Sequence, residues 1–284
     1  LDLGGSGGGE SDVVIVNAGA TLDATDIVSF TATSATKNNS TNANNAKLTA
    51  KDGGARTIDV SLATGSSVAF KITGGDGADI LTGSSGADII SGGNADDIIY
   101  VAAAGHANSD VIDGGGGSNN VLKLSAGSHT LTTNANLQNI KTIDAHASGS
   151  TLDLTNQSEN YTINGAAAND DLKGGSGHDI ITGKGGSDTL TGGLGNDIFK
   201  VDSGTDTVKD LGGAAGGQSD VLKVSSGAIA NAVDIKNFVA TSDTENLGAA
   251  TLTTVATGGG IINMSGATGS AQYTIIGGAG ADTL

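Results

Sequence analysis

Polar and apolar positions in this chain alternate over short, strictly counted distances. From Gly74 to Tyr100 it reads GGDGADILT, GSSGADIIS, GGNADDIIY, and from Gly165 to Lys200 it reads GAAANDDLK, GGSGHDIIT, GKGGSDTLT, GGLGNDIFK. Asp is sixth in every nonapeptide, and an aliphatic or aromatic residue is eighth. One degraded unit, VDSGTDTVK, carries the period to Lys209, and GGAGADTL begins a third block at Gly277. The three residues after Asp suffice for one short strand whose middle side chain faces inward while its neighbours face outward. Glycines at the first, second and fourth positions permit a sharp reversal. One nonapeptide crosses and the next returns, so two make a coil of eighteen residues whose strands stack in parallel, about 4.8 Å apart.

The remaining sequence follows the same logic more loosely. SDVVIVNAG at Ser11, SNNVLKLSAG at Ser118 and SDVLKVSSG at Ser219 correspond, as do FKITGG at Phe70, YTINGA at Tyr161 and YTIIGG at Tyr273. Each of these aromatics stands four residues before a block and is expected to cap its first coil. Residues 121–163 contain VLKL, HTL, NIKTI, STLDL and YTI, separated by small and polar residues, which predicts further short strands. No amphipathic helix is evident. The tract 37–46, KNNSTNANNA, reads as an exposed loop. The resulting segmentation is strand-rich spacers at 1–73, 114–164 and 212–276, glycine–aspartate blocks at 74–113 and 165–211, and the start of a truncated block at 277–284. Tandem units of this kind predict an all-β parallel solenoid in which regular blocks alternate with irregular β-helical coils.

Composition narrows the function. Among 284 residues there are 48 Gly, no Pro, Cys or Trp, and 2% aromatics, so any core must be thin. The formal charge is −17, which argues against nucleic acid, whose phosphates it would repel. Nearly all the acids are Asp, which holds its carboxylate close to the backbone and suits hard-cation sites. No apolar run approaches membrane-spanning length. With no disulfides and little core, metal is the expected staple.

The eighteen-residue coil brings Asp79 over Asp97, Asp170 over Asp188, Asp179 over Asp197, and Asp188 over Asp206. At about 5 Å and an effective dielectric of about 20, two bare carboxylates repel by about 3 kcal/mol. Calcium takes oxygen ligands at about 2.3–2.6 Å, so adjacent coils can straddle an ion while glycine carbonyls complete its shell. Several calcium ions are expected. Their candidate ligands are Gly75, Gly77, Asp79, Gly86, Asp88, Gly93 and Asp97 in the first block, and Asp170, Gly175, Gly177, Asp179, Gly186, Asp188, Gly193, Gly195, Asp197 and Asp206 in the second. Asp282 represents the third block.

The nonapeptides GGDGADILT, GGSGHDIIT and GGLGNDIFK resemble the haemolysin-type calcium-binding repeat of RTX proteins. The resemblance implies a calcium-loaded parallel β-roll and a secreted, extracellular or cell-surface setting. GSSGADIIS and GKGGSDTLT lack the second Gly, GGNADDIIY has Ala95 at the fourth, and GAAANDDLK keeps only Gly165 and Asp170. The spacers, with NIKTIDA and GSTLDLTN, are similar to those of RTX-type surface-layer proteins and giant adhesins. That likeness implies self-association with copies or neighbouring repeats, and a cell-surface glycan as a candidate ligand.

Enzyme motifs are weak. GGSGG at Gly4 formally fits a hydrolase nucleophile elbow, but no strand–turn–helix pattern surrounds it. His106, His129, His146 and His178 have no metal-ligand spacing, and His178 reads as solvated. The pairs Asp96–Asp97 and Asp170–Asp171 each give one residue to the calcium scheme and point the other outward. GGGGSNNVL at Gly114 and GGAAGGQSD at Gly212 read as loops. The expected function is a calcium-binding structural protein, not an enzyme, that folds and assembles on binding calcium in a surface layer or filament. The alternatives are a calcium-binding module of a secreted RTX enzyme and a ligand-binding region of an adhesin.

Overall fold

The computed structural model describes residues 3, 12–40, 42–65, 69–102, 109–131, 133–213 and 218–284. Two compact units divide the chain, residues 1–143 and 144–284. Each is built of short parallel strands, and among the described residues the helical elements are single 3-10 turns.

In the first unit one face stacks Ser29–Thr31, Thr57–Asp59, Ile80–Thr82, Ile98–Tyr100 and Val121–Lys123. Their middle residues, Phe30, Ile58, Leu81, Ile99 and Leu122, form one buried file. A second face stacks Leu22–Ile27, Ala46–Ala50, Lys71–Gly75, Ile89–Gly93, Val111–Asp113 and Leu137–Gln138, and buries Ala24, Leu48, Ile72, Ile90, Ile112 and Leu137. The core is where these two files meet.

The second unit repeats the plan. One face carries Thr162–Asn164, Ile180–Thr182, Ile198–Val201, Val221–Val224 and Glu245–Asn246. The other runs through Ser150–Asp153, Asp171–Lys173, Thr189–Thr191, Thr205–Lys209, Ile229–Ile235, Ala249–Thr254 and Tyr273–Ile276. Phe199 and Leu190 are completely buried opposite these faces' polar outer sides. Deleting such a side chain typically costs about 2–5 kcal/mol.

The expected coil holds within the blocks. Ile98 pairs with Ile80, Ile180 with Thr162, and Thr207 with Thr189, each eighteen residues apart. The spacers continue the solenoid with longer coils, from 20 residues at Ser150–Asp170 to 28 at Ser29–Thr57. Tract 37–46 corrects the loop expectation. Lys37–Asn38 pairs with Ile15–Val16, Ala43–Asn45 is a 3-10 turn capped by Asn42, and Ala46 begins a strand. Asn38, Ser40, Ala43 and Ala46 are buried, all small side chains that fit inside a coil.

A candidate calcium ladder of buried carboxylates

In the two complete blocks every sixth-position aspartate lies inside a turn rather than on its rim. Asp79, Asp88, Asp97, Asp170, Asp179, Asp188, Asp197 and Asp206 are all buried. The strand after each Asp is pinned by its inward eighth residue, so the sixth position is drawn under the glycine turn.

The backbone explains how a carboxylate is tolerated there. Asp79 N–H donates to Asp97 Oδ1 at 2.8 Å, Asp179 N–H to Asp197 Oδ1 at 2.8 Å, Asp170 N–H to Asp188 Oδ1 at 2.8 Å and Asp188 N–H to Asp206 Oδ1 at 3.1 Å. All four expected pairs are therefore brought together, each across one eighteen-residue coil. The contact is carboxylate to amide, so Oδ1 of the later coil is satisfied by the earlier one. Phe70 and Tyr161 start two of the ladders, their N–H groups donating to Asp88 Oδ1 and Asp179 Oδ1, while Arg56 N–H and Ser150 N–H start the other two on Asp79 Oδ1 and Asp170 Oδ1. Both rings are buried, whereas Tyr273 is half-buried.

The second carboxylate oxygen distinguishes the sites. Ala166 N–H donates to Asp170 Oδ2 at 2.8 Å and Gly175 N–H to Asp179 Oδ2 at 2.9 Å. Asp88 receives the Ser84 hydroxyl as well as the Ser84 N–H, so the serine that replaces the second Gly completes that carboxylate. Oδ2 of Asp79, Asp97, Asp188 and Asp206 is buried with no hydrogen-bond partner. Such an atom is costly unless a proton or cation meets it.

These orphan oxygens converge on bare glycine. A Cβ on Gly183 would lie 2.5 Å from Asp188 Oδ2 and 2.8 Å from Asp206 Oδ2. A Cβ on Gly74 would collide with Asp79 Oδ2 and the Gly92 carbonyl oxygen, and one on Gly92 with Asp97 Oδ2 and the Gly114 carbonyl oxygen. Oxygens with no hydrogen between them thus crowd the space a side chain would fill. Among the described residues no three acidic or histidine side chains form a metal cluster. The donor set is instead carboxylate plus carbonyl, which is the set calcium accepts. The residues present fit that ion.

Burial dominates the proton affinity of these groups. It raises Asp88, Asp97 and Asp206 to about 6, Asp188 to about 7 and Asp197 to about 8, against the lowering effect of the N–H donors. The neighbouring carboxylates of the ladder add to the rise at Asp97, Asp188 and Asp197.

The candidate glycines serve two geometries. Gly75, Gly93, Gly186, Gly193 and Gly195 have φ between 102° and 117°, which side chains rarely adopt. Gly77, Gly175 and Gly177 instead sit against carbonyls of the preceding coil, those of Gly54, Gln157 and Glu159. Gly86 donates its N–H to Ser84 Oγ. Asp282 is half-buried and accepts from Gly260 N–H at 2.7 Å.

Three ladder members escaped the sequence reading. Asp88 N–H donates to Asp110 Oδ1, Asp97 N–H to Asn120 Oδ1 and Asp197 N–H to Asp220 Oδ1. Each follows its partner by 22 or 23 residues, outside the nine-residue count. The signal was the shared phrase of Asp or Asn followed by Val and then Ile or Leu, in SDVID, SNNVLKL and SDVLKV. His178 also has a defined place: His178 N–H donates to Asn160 Oδ1, and Asn196 N–H donates to His178 Nδ1 at 2.7 Å. It belongs to an outer ladder at the fifth repeat position. Asp96 and Asp171 point outward as expected. His106 and the GGSGG motif at Gly4 lie outside the described residues.

The family model for the RTX calcium-binding nonapeptide repeat matches four times, at residues 73–103, 162–181, 173–208 and 274–284. No curated protein and no solved structure matches the chain. Among the described residues no helix is long and apolar enough to cross a membrane.

Proposed function

This chain is an RTX repeat protein with calcium-binding nonapeptides, and from that premise we propose that it is an extracellular structural protein whose blocks fold on binding calcium. The observation that carries the reading is the meeting of Asp188 Oδ2 and Asp206 Oδ2 at Gly183, both buried and both without a hydrogen-bond donor. Those two carboxylates, and Asp79 and Asp97 with the carbonyls of Gly92 and Gly114, would hold ions. A bound calcium supplies positive charge where the fold leaves only oxygen. The chain's part is to desolvate the carboxylates, fix Oδ1 with a backbone N–H, and leave Oδ2 aimed at the ion. No step here makes or breaks a covalent bond, and we assign the protein no enzymatic role.

The proposed setting is the cell exterior, where calcium modules bind at about 10⁻⁴–10⁻³ M. Assembly with further copies, in a surface layer or filament, is the proposed use. It is supported by apolar side chains on the outer faces, such as Ile80, Tyr100 and Val111, each more than a third exposed. Circular dichroism in chelator and during a calcium titration tests the reading. β-structure should rise cooperatively with calcium and respond weakly to equal magnesium, which demands shorter octahedral contacts of about 2.0–2.1 Å. Full β-content in chelator, or equal rescue by magnesium, would overturn it. Sedimentation before and after calcium tests assembly separately.

A further inference from the structure

At one coil of the first unit the ladder changes its chemistry without changing its shape. The space beside Gly74 is filled by Asp79 Oδ2 and Gly92 O, and the space beside Gly92 by Asp97 Oδ2 and Gly114 O. The equivalent space beside Gly114 is filled by Asn120 Nδ2 and Asn139 O. The position is the same, but an orphan acceptor has become a donor. Asn120 Nδ2 donates to Asn139 O and to Gly116 O, both at 3.0 Å, and Oδ1 accepts from Asp97 N–H at 2.8 Å. An amide has two N–H donors, and both are used. The side chain is buried, neutral and satisfied.

The device recurs where no nonapeptide exists. Asn38, fully buried, donates its Nδ2 to Ala69 O and accepts from Ser40 N–H at 2.9 Å. Asn246, also fully buried, donates its Nδ2 to Gln272 O at 2.9 Å and accepts from Gly248 N–H at 3.1 Å. Each amide spans one coil to the next, as Asn120 does.

We propose that Asn120 is a built-in substitute for the cation: its amide N–H groups occupy the role of the ion, closing the ladder that runs through Asp79 and Asp97 and ending the ion array there. The proposal rests on the calcium reading of those carboxylates. It follows that ladder positions are interchangeable in kind. Asn120→Asp removes two donors, sets an acceptor against Asn139 O and Gly116 O, and creates a place for another cation. Asp97→Asn does the reverse, giving its coil a donor toward Gly114 O and releasing it from calcium.

The test measures bound calcium per chain by equilibrium dialysis and β-content by circular dichroism, for wild type, Asn120→Asp and Asp97→Asn. Asn120→Asp should bind more calcium per chain than wild type and need a higher calcium concentration to fold, reaching wild-type β-content once saturated. Asp97→Asn should bind less calcium yet hold at least as much β-structure in chelator. The proposal is overturned if Asn120→Asp binds no additional calcium, or if saturating calcium fails to restore its fold. It is equally overturned if Asp97→Asn loses structure both with and without calcium. Wild type separates the two levels: if it binds no calcium the underlying reading fails, whereas wild-type binding with no gain in Asn120→Asp overturns only the role given to the amide.

Discussion

The nonapeptide coils and the spacer coils solve one problem with two side chains that differ by a single heavy atom's identity. Both must hold a polar group inside a tight corner and tie it to the next coil. Spacer corners use Asn38 and Asn246, whose amides find a carbonyl on the following coil and a backbone N–H on their own. Block corners use Asp, whose Oδ1 finds a backbone N–H while Oδ2 of Asp79, Asp97, Asp188 and Asp206 finds none. The spacer corner is complete in water alone. A block corner with such an orphan Oδ2 needs something from solution. Placing the two in one chain lets a solution variable act on chosen coils while the rest keep a self-sufficient geometry.

Acidity should break this contrast most strongly, because a proton can also complete a block corner. The folded carboxyls of Asp97, Asp188 and Asp197 are raised to about 6, 7 and 8, above the unfolded value of about 3.9. A carboxyl raised in this way holds its proton more tightly when folded. Its stabilising effect is complete below the unfolded value and is lost as pH climbs through the folded one. In chelator, β-content should therefore be higher near pH 5 and fall between pH 6 and 8.5. Asp97→Asn and Asp197→Asn should each flatten that profile. If neither does, the dependence belongs to the chain's general negative charge and not to the block corners. Saturating calcium should also flatten it, since the ion displaces the proton.

A smaller effect sharpens the comparison inside a block. Asp179 and Asp197 share one corner through the N–H contact, while Asp188 belongs to the ladder of Asp170 and Asp206. Asp179→Asn and Asp197→Asn should couple by roughly 0.5–3 kcal/mol, and Asp179→Asn with Asp188→Asn should be nearly additive. The readout is the calcium midpoint of folding for single and double variants. Stronger coupling between 179 and 188 would mean the corners are not independent.

The smallest effect concerns the turns. Ala95 has φ 71° at a position where Gly195 supplies φ 115° in the second block. A left-handed residue with a Cβ costs roughly 1–2 kcal/mol, part of which glycine's extra unfolded-state entropy takes back. Ala95→Gly should raise calcium-saturated stability by up to about 1 kcal/mol, measured by urea unfolding. Loss of stability would show that the Ala95 methyl packs usefully.

The eighteen-residue coil and its inward eighth position were legible because turn and strand repeat together, so one count fixes both register and face. The four aspartate pairs follow from that count alone. What it could not show was the orientation of the carboxylates. Facing one another across layers, they read as bare repelling charges. In the fold Oδ1 is already taken by the earlier coil's N–H, and the deficit is confined to Oδ2. Asp110, Asn120 and Asp220 were hidden because their coils gain four or five residues elsewhere, which destroys the period without moving the corner. The tract 37–46 was hidden by composition: Asn, Ser, Thr and Ala make loops in open solvent, yet here Asn38, Ser40, Ala43 and Ala46 turn inward.

The unequal coil lengths separate residue count from reach. Within a unit every coil advances by one strand spacing, about 4.8 Å, because parallel pairing sets that step. The coil from Ser29 to Thr57 takes 28 residues and the coil from Ile80 to Ile98 takes 18, so the shorter coil covers over half as much distance again per residue synthesised. Material added at a corner widens the cross-section and leaves the axial ruler untouched. A corner such as Gly19, where an added Cβ would meet nothing within 4 Å, is thus a place to graft a peptide, whereas Gly54, whose carbonyl lies against Gly77 of the next coil, is not.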